Sequence, residues 1–125
     1  MRIEIVGVCA SGKSTLILLL TQLGYAAYGV AQEHSCVPWL WLLSKPDILV
    51  VLDCEYATAR QRRAIAWGPE RLRAERERLA HALGHCDLYI RTDKMSPEDV
   101  VRAVVDTIRR LGGGENRFGR QNRDA

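Results

Sequence analysis

Two kinds of apolar pattern alternate along this chain. Short, nearly unbroken runs at 2–8 (RIEIVGV) and 47–53 (DILVVLD) predict strands, the second of them covered on both faces. YAAYGVAQE (25–33) is a weaker second strand, and CDLYIRT (86–92) predicts the last one. Helical patterns fill the spaces between them. Ser14 to Leu23 predicts a helix ended by Gly24, and Pro38 opens a short one over 38–44. Residues 56–66 and 69–83 predict two more, separated by WGP, with Pro69 starting the second. The stretch 96–111 (SPEDVVRAVVDTIRRL) predicts a final amphipathic helix. Ser96 is its cap, Pro97 lies in its first turn, and Glu98 and Asp99 favour the positive end of its dipole. Val100, Val101, Val104, Val105 and Ile108 form its apolar face. Strands alternating with helices imply an α/β protein in three αβα layers, with a parallel sheet and right-handed crossovers. Residues 112–125 lack a periodic apolar pattern and read as a disordered basic tail, leaving 1–111 as one domain. No internal repeat is present.

Composition changes this picture little. With 125 residues, 47% hydrophobic and 26% charged, the chain suits a single domain with one modest core. The formal net charge is +3, and Lys13, Lys45 and Lys94 are its only lysines. The arginine fork suits an anionic ligand, and a compositional bias of the source accounts for the excess equally well. Cys9, Cys36, Cys54 and Cys86 are far apart and form no CxxC pair. His34, His81 and His85 make no metal-ligand spacing with them. A reduced protein without a zinc site is expected. The longest apolar run, LILLL at 16–20, is too short for a bilayer span, which needs ~20 residues. The start of the chain carries no basic leader. The expected location is cytoplasmic, with no membrane partner.

The chemistry concentrates in one turn. Gly7-Val8-Cys9-Ala10-Ser11-Gly12-Lys13-Ser14 satisfies G-x-x-x-x-G-K-[ST] at every fixed position, after a strand and before a helix. Glycines let the backbone curl so that successive N–H groups converge on a phosphate, and the helix aims its positive end at the same point. Lys13 would reach the β- and γ-phosphates, and Ser14 would ligate Mg²⁺. Residues 7–15, through Thr15, form the expected nucleotide cradle. The alternative is a chance glycine turn at a strand–helix junction.

On these residues the sequence resembles the P-loop nucleoside triphosphatases, and within them the small kinases of the nucleotide, nucleoside and shikimate type. KPDILVVLD followed by Arg60, Arg62 and Arg63 looks like the strand and arginine-bearing lid of those kinases. CDLYIRTD and SPEDVVRAVV look like their last strand, adenine-side loop and closing helix. The resemblance implies ATP or another nucleoside triphosphate with Mg²⁺, and a parallel sheet of four to five strands. One departure stands out. Residues 34–46 fill the interval where such kinases keep an acceptor-binding arm and a further strand.

A magnesium nucleotide site usually needs a carboxylate beside the turn, and Glu33 and Asp53 each close a predicted strand. Glu33 is favoured, because a second-strand acidic residue does this work in the resembled kinases. Asp53 can instead cap the next helix, and Glu33 can be a solvated strand-end charge. Arg60 and Arg63, about one helical turn apart, can face the phosphates together, while Arg62 points elsewhere or shares the task. Arg71–Glu75 and Arg73–Glu77 have the i,i+4 spacing of a solvated helix face. His34 can contact an acceptor or simply lie at the surface. Trp39 and Trp41 fall on different faces of the short helix. One of them left exposed would suit an acceptor pocket or a homodimer contact. Trp67 can pack over a base or staple the helices on either side of it.

The expected function is transfer of the γ-phosphate of Mg-ATP to a small molecule, with Lys13, Glu33, Arg60 and Arg63 as catalytic residues and Ser14, Glu33 and Asp53 as metal residues. A simple ATPase and a non-catalytic nucleotide-binding or partner-binding module are the alternatives. No NKxD signature points to guanine. Nucleic-acid binding has only the basic tail in its favour, since the acidic residues of 70–78 dilute that segment.

Overall fold

The structure is a computed structural model that describes residues 1–112. Its elements are β1 (Arg2–Gly7), α1 (Lys13–Gln22), β2 (Ala26–Gly29), 3₁₀ turns at Gln32–His34 and Leu40–Ser44, and β3 (Ile48–Asp53). Next come α2 (Tyr56–Arg62), α3 (Pro69–Arg78), α4 (Ala80–Leu83), β4 (Leu88–Arg91) and α5 (Pro97–Arg110). The four strands form one all-parallel sheet in the order β2-β1-β3-β4.

The near-continuous apolar runs occupy the two central strands, and every residue of β3 is buried. Period-two alternation sorts their side chains between two cores. Ile3, Ile5, Ile48, Val50 and Leu52 pack on Leu16 and Leu20 of α1 and on Val100, Val104 and Ile108 of α5. Val6, Leu49 and Val51 face the other way, onto Trp41, Ala59, Leu72, Leu79 and Ala82. Helices therefore cover both faces, as the strand–helix alternation predicts.

Local signals set the helix ends. At α1, Gly24 takes φ +94°, its N–H bonds the Thr21 carbonyl (3.0 Å), and the Tyr25 N–H bonds the Leu20 carbonyl (3.0 Å). That pair of bonds is a Schellman stop. At α5, Ser96 Oγ accepts from the Asp99 N–H, and Asp99 Oδ2 accepts from the Ser96 N–H, both at 3.1 Å. This is a reciprocal capping box.

Other boundaries move from their expected places. β2 ends at Gly29, so Glu33 lies on a 3₁₀ turn and not at a strand end. The chain leaves the sheet because the fully buried Gln32 side chain is needed elsewhere. Its amide donates to the Val37 and Arg78 carbonyls (2.8 and 3.3 Å), and its oxygen accepts from the Trp41 N–H (2.9 Å). The short helix of 38–44 is a 3₁₀ turn, since so few residues form too few i→i−4 bonds to hold an α-helix. α2 stops at Arg62, and the predicted helix 69–83 divides at Leu79. Of the predicted tail, 113–125 lies outside the described residues. No helix among the described residues is long and apolar enough to cross a membrane.

One residue of β1 breaks the apolar pattern. Glu4, in register with Tyr28 on β2 and Leu49 on β3, is fully buried, and neither carboxylate oxygen has a hydrogen-bond partner. Desolvation pushes its pKa up to about 7, and Ser44 and Arg2 nearby lower it only in part.

Candidate functional site

The turn between β1 and α1 is shaped by close approach. A Cβ on Gly7 would lie 2.5 Å from the Leu52 carbonyl oxygen, so β3 leaves room only for glycine there. Gly12 takes φ +102°, and Ala10 adopts φ +64°, an uncommon conformation for a residue with a Cβ. No side chain caps α1, and no acidic residue sits in its first turn. The positive end of that helix therefore opens onto the turn.

Lys13 folds back over this backbone. Its Nζ donates to the Gly7 carbonyl (2.9 Å) and pairs with Glu33 Oε2. Glu33 is only 4% exposed, and its Oε1 has no hydrogen-bond partner. The 3₁₀ turn that carries it is anchored by Gln32 and by Arg78 Nη1, which donates to the Glu33 carbonyl (3.1 Å). A sheet-edge turn thus delivers Glu33 to the lysine twenty residues earlier.

Two cavities meet at the turn and share Ala10, Gly12, Thr15 and Arg63. One, of about 260 Å³, is lined by Cys9, Ser11, Lys13, Ser14, Glu33 and His34. The other, of about 320 Å³, has the apolar walls Leu16, Met95, Pro97 and Val100. The two adjoin at the turn, one polar and one apolar. Such a pair suits a ligand with a charged and a flat apolar part.

The other sequence candidates divide. Arg63 lines both cavities, whereas Arg60 lines neither and sits 5.9 Å from the Tyr56 ring. α2 ends before Arg63, whose backbone is extended, so the one-turn spacing does not pair them on a common face. Arg62 is the arginine bonded to the turn. Its Nη1 donates to the Ala10 carbonyl (2.8 Å) and to Thr92 Oγ1 (2.9 Å), and its Nη2 donates to the Thr92 carbonyl. It ties the turn to the loop after β4.

The Asp53 carboxylate is not brought to the turn. It accepts from Arg76 Nε (3.0 and 3.2 Å), Tyr89 OH (2.8 Å) and the Cys54 N–H (2.8 Å). It lines a separate cavity with Arg73 and Arg91. Nor does it cap α2, whose N-cap is Glu55. Trp41 is buried with Nε1 3.0 Å from His81 Nδ1, while Trp39 is exposed. Trp67 packs between Tyr56 and Arg71 and staples the break between α2 and α3.

A cluster with no signature in the residue spacing lies at the polar mouth. Glu75, on α3, is fully buried. Its Oε1 accepts from the Cys9 N–H (2.8 Å), and its Oε2 accepts from Cys9 Sγ (3.1 Å) and from Arg71 Nε (3.3 Å). His34 Nε2 stands 3.7 Å from the same sulfur. The Arg71–Glu75 pair exists, but it is no solvated face. Leu72, Glu75, Leu79 and Ala82 follow one buried stripe, and that 3-4-3 spacing was the signal in the sequence. Burial first, then the Glu75 hydrogen bond and the charges of Glu75 and Glu33, push the Cys9 thiol above its ordinary pKa. At neutral pH it is a thiol and a poor nucleophile.

No protein-family model matches this chain, and a search of curated proteins finds no match.

Proposed function

We propose that these cavities bind a nucleoside triphosphate with Mg²⁺, ATP being the default, and that the protein is a small kinase-like phosphotransferase of P-loop type. The adjacency of a polar and an apolar cavity at the turn carries this reading. The polar one gathers the Lys13 ammonium, the open N-terminus of α1 and Arg63, all suited to phosphates. The apolar one, walled by Leu16, Met95, Pro97 and Val100, suits a base.

The donor set fits magnesium. Ser14 and Glu33 line the same polar cavity, and Glu33 Oε1 is a buried oxygen without a partner. These two residues would hold the ion, which supplies positive charge to the phosphate oxygens. Lys13 would exchange its bonds to Gly7 and Glu33 for phosphate oxygens, and Arg63, which lines both cavities, would supply positive charge to the transferred group. Arg62 acts by positioning the turn backbone.

One observation favours a second reading, a nucleotide-binding module without turnover. Among the described residues, the interval 34–46 plugs the core with Trp41 and supplies no acceptor arm. Binding of a fluorescent ATP analogue, with and without Mg²⁺, separates the readings when followed by phosphate release and transfer to a panel of nucleosides, nucleotides and small hydroxyl acceptors. Lys13→Ala should abolish binding. Transfer above that control supports the phosphotransferase. Binding without turnover supports the module, and no binding overturns both.

A further inference from the structure

The nucleotide reading employs Lys13, Ser14, Glu33 and Arg63. It leaves the side chains of Cys9, His34 and Glu75 without a task, although three separate elements bring them to one point. Cys9 comes from the turn after β1, His34 from the 3₁₀ turn after β2, and Glu75 from α3. We infer that Cys9 Sγ, His34 Nε2 and a Glu75 carboxylate oxygen form a binding site for one zinc-class transition-metal ion.

Geometry supports the assignment. The three ligand atoms lie within 4.8 Å of one another. With metal bonds of about 2.3 Å to sulfur and 2.0–2.2 Å to nitrogen and oxygen, a tetrahedral site separates its ligands by about 3.4–3.6 Å. The observed sulfur-to-nitrogen separation is 3.7 Å and the sulfur-to-oxygen separation 3.1 Å. Two of the three edges are therefore nearly in place. His34, with 44% of its side chain exposed, has the freedom to close the third.

Chemistry narrows the ion. Thiolate and imidazole select zinc and its neighbours over magnesium and calcium, which take oxygen donors. Binding breaks the Cys9 S–H bond, forms a sulfur–metal bond and releases the proton to solvent, with no change of oxidation state. A divalent ion, one thiolate, one carboxylate and a neutral imidazole sum to zero charge, which suits a site where Glu75 is fully buried. Glu75 Oε1 keeps its bond from the Cys9 N–H, so the carboxylate is already oriented. Cys9 and His34 line the polar cavity, so the fourth position faces it and takes a water.

The test uses the full chain, reduced and stripped of metal by chelation, with no nucleotide added. Co²⁺ is the spectroscopic probe, followed by displacement with Zn²⁺. The expected result is one equivalent bound per chain, with a thiolate-to-cobalt charge-transfer band and the visible bands of a tetrahedral ion. Cys9→Ser should remove the charge-transfer band, while Cys36→Ser and Cys86→Ser leave it intact. His34→Ala alters an exposed side chain and should fold normally. It is expected to weaken Zn²⁺ by more than the roughly 10–100-fold that outer-shell changes cause. Absence of the band in the wild type, its survival in Cys9→Ser, or equal Zn²⁺ affinity in wild type and His34→Ala would overturn the site. Because nucleotide is absent throughout, failure of the ATP reading leaves this result untouched, and the reverse holds too.

Discussion

Replacing Glu4 with glutamine tests the electrostatics of the sheet directly. Glu4 is fully buried without a hydrogen-bond partner for its carboxylate oxygens, and its pKa rises from 4.5 to about 7. The folded state therefore holds a proton that the unfolded chain releases near pH 4.5. Between pH 4.5 and 7 the unfolded state binds fewer protons than the folded one, so stability falls as pH rises through that window and is level above it. At about 1.36 kcal/mol per pKa unit, the ionisable carboxyl costs about 1 kcal/mol at pH 5 and about 3 kcal/mol at pH 8. Glutamine is neutral at both. The stability of Glu4→Gln relative to wild type should thus improve by roughly 2–3 kcal/mol between pH 5 and pH 8, on the order of 10 °C in Tm. Urea unfolding of both proteins at several pH values measures this, and groups other than Glu4 cancel in the comparison. A difference that stays constant within about 0.5 kcal/mol would show that Glu4 titrates normally, and would refute the claim that burial holds its proton.

Three further expectations follow from the turn. Gly7→Ala would force a Cβ to 2.5 Å from the Leu52 carbonyl, and should cost on the order of 3 kcal/mol in chemical denaturation; a loss below about 1 kcal/mol would mean that β1 and β3 separate freely. Arg62→Ala removes donors to Ala10 and Thr92 from an exposed guanidinium, and should lower stability by about 1–2 kcal/mol while speeding hydrogen exchange in the turn; unchanged exchange would remove its positioning role. Glu33→Gln should shrink, on the order of tenfold, the gain in ATP affinity that Mg²⁺ confers; an unchanged gain would assign Glu33 to Lys13 alone.

Much of this fold is written in short-range patterns. The β-branched runs of β1 and β3, the Gly24 stop and the Ser96 cap each depend on residues a few positions apart, and each appears where the pattern predicts. The parallel layered sheet follows from the alternation of those elements.

Tertiary structure decided the site. Both Glu33 and Asp53 read as strand-end carboxylates, with Glu33 favoured only by resemblance; in the fold Gln32 draws the chain out of the sheet and Glu33 reaches Lys13, while Arg76 and Tyr89 hold Asp53 in another cavity. Arg60, Arg62 and Arg63 were separated only by where α2 ends. The Cys9–Glu75 contact spans 66 positions, and no spacing rule reaches that far. Periodicity tells which side of a helix is buried, but the partner across a long loop is set by how the whole sheet packs.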